Sequence, residues 1–299
     1  MTTMNPNGAP FSPDEQTRPT PSSPFPPPTG PGSPVTAPGS QPRRGRGGLL
    51  LASLGALAML LLIGLVAVTL GLGKDPDPGS PPADPVTGEP GWDLAAETAL
   101  ATRPMPQLPE AAAFPHALST RTPPALITLP PAGGRNGVLA DQFPPTPEGA
   151  LAQLAELTRV GLQGADPKAY ELAYASITAP GAPGVDSTGM HRTLVDARRA
   201  GRLPMEGALT NLSMTFTPMA GLIKGTTDGG RYAVVCVIGE VDVTANGTPI
   251  TSTGGDCQAL RWNGRTWQIA PGAAAAAGPI AWPGSDEALD AGYLPLRSP

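Results

Sequence analysis

A chain of 299 residues is long enough for two average domains, but 41 prolines and 38 glycines, unevenly spread, leave much of it unable to pack a core, so one folded domain is expected. Aromatic residues at 4% and charged residues at 14% exclude both a nucleic-acid binder built on basic, stacking surfaces and a long charged coil. The net charge of −5 is mild and singles out no partner.

Residues 1–46 are rich in proline and almost without aliphatic side chains. Too little apolar surface is present to offset the entropy of ordering, so a disordered tail is expected, extended at Pro24 to Pro28. It reads either as a solvated spacer or as a docking strip centred on Pro-Phe-Pro-Pro-Pro.

Between Arg46 and Lys74 no residue is charged, and the run over 47–73 is almost wholly apolar. As a helix it would be about 40 Å long, enough to cross a hydrocarbon core of about 30 Å with room to tilt. A cleaved secretory signal fits less well. Signal peptides carry shorter apolar regions near the N-terminus, and bulky residues in Val66-Ala67-Val68 and Leu70-Gly71-Leu72 spoil the small-residue cleavage pattern. Arg43, Arg44 and Arg46 flank one end, whereas Lys74 at the other is followed by Asp75 and Asp77. The positive-inside rule therefore predicts a single plasma-membrane span with the N-terminus in the cytoplasm and the remainder extracytoplasmic.

Residues 74–140 return to proline and glycine but carry Trp92, Phe114 and Ala125-Leu126-Ile127-Thr128-Leu129. The expectation is a stalk whose later part lies on the folded domain as an extended segment or lone strand, with a short helix over 93–101.

The folded domain is expected over 141–295. Thr146-Pro147-Glu148 supplies an N-cap, a proline at the first helical position and an acid in the first turn. Leu151, Leu154, Leu157 and Leu162 then give one apolar face up to Gly164. Asp166-Pro167 opens a second helix with Tyr170, Ala173, Tyr174 and Ile177 at helical spacing; Ser187 or Thr188 caps a third, stopped by Gly201. The period then switches to strands at Leu212, Met214 and Phe216, followed by 231–243, 250–262 and 265–270. Asn246-Gly247 and Asn263-Gly264 mark hairpin turns, so a four-stranded antiparallel meander is predicted. Ser285 caps a final short helix that docks on the sheet through Leu289 and Tyr293.

If Asn246 and Gly247 are the two loop residues, the register sets Cys236 opposite Cys257 in a non-hydrogen-bonded pair, and Thr244 opposite Pro249 in another. That position suits a proline, which has no N–H, and its short Cα spacing lies within reach of a disulfide. These are the only two cysteines, and an exported domain meets an oxidising compartment. A Cys236–Cys257 bridge is predicted; a bulge at Gly254-Gly255 would instead shift the register and leave two buried thiols.

Chemistry-bearing motifs are scarce. His116 and His191 are the only histidines, too few for a metal site with recognisable spacing, and no nucleophile elbow, phosphate loop or dinucleotide fingerprint occurs. No catalytic residue, metal or cofactor is therefore expected. His191 beside Asp186 or Asp196 can be drawn as an acid–base pair but reads more simply as a helix-surface residue. Arg192, Arg198, Arg199 and Arg202 form the one dense basic cluster outside the membrane. They are a candidate interaction patch for an acidic partner or an anionic cell-envelope polymer, though a solvated helix face paired with Asp196 is the simpler reading.

Three helices followed by a curved antiparallel meander resemble the cystatin-like cone of nuclear-transport-factor-two-like domains. Behind a bitopic anchor, this arrangement resembles assembly components of conjugative type IV secretion machines of Gram-positive bacteria. The C-terminal half is also similar to a family of exported actinobacterial proteins tied to mobile-element transfer genes. That similarity rests on Phe143-Pro144-Pro145-Thr146-Pro147-Glu148-Gly149-Ala150-Leu151, Arg261-Trp262-Asn263-Gly264-Arg265-Thr266-Trp267 and Trp282-Pro283-Gly284-Ser285. The resemblance implies an α+β fold and a non-catalytic scaffold acting through protein partners or self-association, with no nucleic-acid partner. An extracytoplasmic ligand-binding or envelope-sensing domain is the first alternative, and a small hydrolase the second.

Overall fold

The computed structural model describes residues 92–298, so the expected tail (1–46), anchor (47–73) and first part of the stalk lie outside the described residues. Within 92–298 no helix is long and apolar enough to cross a membrane.

Five α-helices occur among the described residues: α1 (Leu94–Thr102), α2 (Pro147–Gly161), α3 (Pro167–Ser176), α4 (Gly189–Ala200) and α5 (Asp286–Asp290). Local sequence sets where they start. Thr146 Oγ1 accepts from Gly149 N, Asp166 Oδ1 from Lys168 N, Thr188 Oγ1 from His191 N and Ser285 Oγ from Ala288 N, each satisfying a donor that the first turn leaves unpaired. Proline opens both α2 and α3.

The main sheet has the order β1-β8-β4-β5-β6-β7, from β1 (Ile127–Thr128), β4 (Leu212–Thr227), β5 (Tyr232–Ala245), β6 (Thr248–Trp262), β7 (Trp267–Ile269) and β8 (Leu294–Arg297). A separate hairpin joins β2 (Gly134–Asn136) to β3 (Leu139–Asp141). The result is an α+β fold on a curled, antiparallel-rich sheet, a half-barrel. The meander β4-β5-β6-β7 forms as expected, but two further strands extend it. β8 pairs antiparallel with β4, and β1 adds in parallel to β8.

The curl has a local cause. β4 is bulged between Pro218 and Ala220 and again between Ile223 and Gly225, and each extra residue bends the strand and deepens its twist. Pro218 sits beside the first bulge, where a strand tolerates a missing N–H. Opposite it, a Cβ on Gly239 would run into the carbonyl oxygen of Thr217, so only glycine permits this approach. The pairing of β5 with β6 carries no bulge; Ile238 faces Gly255 and Gly239 faces Gly254 in unbroken register. Asn246 and Gly247, with φ of 49° and 81°, make the two-residue turn between them. The Asn263-Gly264 connection differs, because Trp262 pairs with Trp267 and the loop holds two more residues than a tight hairpin. Asn263 Oδ1 accepts from Arg265 N and Thr266 N, so the asparagine side chain organises that longer loop.

Both faces of the sheet are covered. Ala233, Val235, Val237, Val241 and Val243 of β5 pack on Leu151, Leu154, Leu157, Tyr170 and Leu194 from the helices. The alternate residues of β5 point the other way. Cys236 and Ile238 meet Ala113, Ile280, Ala281, Ala288 and Tyr293, while Tyr232 and Val234 meet Leu100 and Ala101 of α1.

This double burial draws in residues that precede 141. The segment from Trp92 onward is built into the body, because β5 is apolar on both faces and needs cover on the second. Polar ties reinforce the docking. Lys224 donates to the carbonyls of Ala101 and Arg103, Arg103 donates to the carbonyl of Lys224, and Arg261 pairs with buried Glu97 while its guanidinium lies 3.7 Å from the Trp92 ring. The helix expected over 93–101 forms within this cover, and the extended segment at Ile127 forms as the edge strand β1 beside β8.

Candidate ligand-binding cleft

β7 pairs only with Leu260–Trp262, so the preceding part of β6 is a strand edge without a further neighbour. Cys236 and Cys257 face each other and are joined by a disulfide. In that register the peptide groups of Gly255 and Cys257 point away from β5, outward from the sheet. They border a cleft of about 140 Å³. One side is the N-terminal turn of α4 with Thr188, Gly189 and Arg192; the other is the alanine-rich chain around Ala274–Gly278, apolar and drawn close to the disulfide. A Cβ on Gly278 would run into Cys257 Sγ, which accounts for glycine where that chain crosses the bridge.

Asp256 stands in this cleft with Gln258, on the helix-facing side of β6 opposite Val237 and Val235. Its Oδ1 accepts from Cys257 N at 2.9 Å, and its Oδ2 accepts from Gln258 Nε2 at 2.8 Å and from the Tyr170 hydroxyl at 3.3 Å. Burial pushes the carboxyl up to about 6, outweighing these hydrogen bonds and the Arg192 charge, all of which favour the carboxylate. The Tyr170 and Tyr174 hydroxyls are pushed up first by their own burial and then by the Asp256 charge. Gln258 is 6% exposed, and with its nitrogen committed to Asp256 its Oε1 has no hydrogen-bond partner among the described residues.

The four arginines expected to share a patch part company. Arg192 is exposed, and its Nη1 donates to the carbonyls of Asp186 and Ser187 at the cleft rim. Arg198 is 0% exposed and faces inward; it donates through Nε to Ala165 O, through Nη1 to Pro204 O and through Nη2 to Gly207 O. Arg199 is exposed and pairs with Asp196, and Arg202 lies past the helix at φ 53°. The patch reading is therefore corrected for Arg198, which ties the α4 C-terminus to the loop after it. It falls on the same helical stripe as the buried Met190, Leu194 and Ala197, and the three carbonyls that take its guanidinium come from loops outside the helix.

His191 is buried against Tyr170 and meets Glu171 at 3.2 Å; neither Asp186 nor Asp196 pairs with it. His116 meets Glu287 at 3.2 Å on the opposite face. Among the described residues no group of three or more His, Cys, Asp or Glu side chains is placed to hold a metal. Asp256 was the functional candidate missing from the sequence reading. The signal was present: a lone carboxylate in an otherwise apolar or neutral stretch of β6, set by the register of Cys257 against buried β5. Comparison with protein-family models, with curated proteins and with solved structures gives no match.

Proposed function

We propose that the folded domain is a non-catalytic, extracytoplasmic ligand-binding module, held at the plasma membrane by the 47–73 span with the N-terminus inside. The observation that carries the reading is Asp256, a half-buried carboxyl that lines the cleft between α4 and the β6 edge beside Gln258. Burying such a group is costly unless something compensates it, and a bound partner is one such compensation. The Cys236–Cys257 bridge supports the exported placement, because such cross-links persist in oxidising compartments. The three helices on a curled meander are read as a cystatin-like cone, with the cleft at its β6 edge between α4 and the alanine-rich chain.

The test is a ligand-observed NMR screen of small amines, acids, sugars and peptides against the full-length chain in nanodiscs, repeated with Asp256→Asn. Binders lost in the variant are expected; a screen in which no compound depends on Asp256 overturns the reading.

The scaffold reading, an assembly component of a conjugative or secretion machine, is favoured by a different feature. Leu118 at 64% exposure and Met219 at 39% flank an apolar groove with Trp282 and Pro295. Crosslinking in cells from Leu118 and Met219 should capture transfer-machine subunits or a second copy; labelling of neither counts against a scaffold.

A further inference from the structure

We infer that the cleft takes a small zwitterion of the α-amino-acid type, an ammonium at one end and a carboxylate at the other. This rests on the ligand-binding reading above and deepens it.

The two ends of the cleft carry opposite charge. At the sheet end, Asp256 has three donors already on it, and a carboxylate has room for about four, so one acceptor position remains. Gln258 Oε1 lies next to it without a partner, and the outward carbonyls of the β6 edge add further acceptors. The Asp256 carboxylate calls for a donor here, and an ammonium has three N–H groups and the complementary charge.

At the helix end, Arg192 commits Nη1 to the two loop carbonyls, which leaves Nε–H and Nη2 for a ligand. Gly189, at the cleft, opens the first turn of α4, a twelve-residue helix whose leading N–H groups have no intrahelical partner. Both features suit a carboxylate. A simple amine would leave the arginine end empty, and a simple acid would meet Asp256.

Size and lining restrict the ligand further. A cavity of about 150 Å³ holds one benzene molecule, with six heavy atoms. The 140 Å³ cleft is therefore matched to ligands of the size of glycine, alanine or serine. Ala274, Ala275, Ala277 and Ile280 offer an apolar wall to a short side chain and no charged group to a long one.

The experiment is calorimetric titration of the full-length chain in nanodiscs at pH 7.5. Glycine, alanine and serine are the zwitterions; isopropylamine and isobutyrate are alanine with one charged group replaced by methyl. At least one zwitterion should bind tenfold or more tighter than either single-charge analogue. Asp256→Asn should weaken that zwitterion and isopropylamine at least tenfold, and Arg192→Met should bring the zwitterion to the level of the amine. Arg192 is exposed, so its variant tests the site even if Asp256→Asn misfolds, which circular dichroism would reveal. Equal binding of alanine and isopropylamine, no binding of any zwitterion, or zwitterion binding indifferent to both variants overturns the inference. If the NMR screen then finds Asp256-dependent binders of another class, the binding-module reading stands while the zwitterion falls; if it finds none, both fall.

Discussion

Asp256 links the stability of the domain to pH in a direction opposite to that of an ordinary ion-paired carboxylate. Its pKa is about 6 in the fold, against 3.8 as the ordinary value. The native state therefore holds this proton more tightly than the unfolded chain between those values, and stability falls as pH rises through the window. Below about pH 3.8 both states are protonated and the contribution is fully present; above about pH 6 it is lost. The difference of about two units corresponds to about 3 kcal/mol at 1.36 kcal/mol per unit, reduced toward about 2 kcal/mol by the opening of the cleft to water. Asn is nearly isosteric and does not titrate. Urea denaturation followed by tryptophan fluorescence, on the full-length chain in nanodiscs, gives unfolding free energies at pH 4.5, 5.5, 6.5 and 7.5 for wild type and Asp256→Asn. Relative to the variant, the wild type should lose most of that 2–3 kcal/mol between pH 4.5 and 7.5. Other groups titrate in both proteins and cancel in the difference. Parallel profiles would refute the reasoning, for they would mean that the carboxyl is solvated in the native state.

Arg198→Met should destabilise the domain by about 3 kcal/mol or more, since it leaves the carbonyls of Ala165, Pro204 and Gly207 without their donor, whereas Arg199→Ala should stay within about 0.5 kcal/mol; urea midpoints compare the two. Mass spectrometry without reductant should find Cys236 and Cys257 joined, and replacing both by alanine should cost about 3 kcal/mol of unfolding free energy. Leu100→Ala should cost about 2–3 kcal/mol by opening the α1 contact with Tyr232 and Val234, a loss that a freely projecting stalk would not show. A phosphatase reporter fused after Pro299 should be active and one fused before Arg43 silent; the reverse pattern excludes the proposed topology.

What could be read from the sequence is what is decided within a few residues. Thr146-Pro147, Asp166-Pro167, Thr188 and Ser285 announce their helices because capping is a local hydrogen-bonding problem. Asn246-Gly247 sets a register that carries through to Cys236 and Cys257, since pairing in a hairpin propagates from its turn. What lay beyond reach depends on distant partners. Leu294-Pro295-Leu296 is too short and too interrupted to announce a strand, and it becomes one only where β4 offers an edge at Ala220 and Gly221. Arg198 looks like its neighbours Arg199 and Arg202 until the loop carbonyls that enclose it are in place. The paired apolar faces of β5 did carry a message, namely that a second layer had to exist, but not which segment supplied it.

The cleft follows from how the fold manages the edge of β6. β7 ends after Ile269, where the chain turns off through Pro271 and Gly272, so the outward peptide groups from Gly255 to Cys257 have no strand beside them. An open edge of this kind invites pairing with another chain. Here α4 closes over one side and the alanine-rich segment over the other, and the cross-strand disulfide holds β6 to β5 between them. Full closure would bury the peptide groups of the edge without partners, a larger cost than leaving a small polar opening. A charged aspartate placed at that opening keeps it wet or occupied, whereas an apolar residue there would favour collapse or strand addition. On this account Asp256→Val should remove ligand binding and also raise self-association through β6. Sedimentation of the variant in nanodiscs, against Asp256→Asn as the polar control, measures that second effect separately from the first. An Asp256→Val chain that stays as dispersed as the asparagine variant would show that α4 and the alanine-rich segment protect the edge without help from the carboxylate.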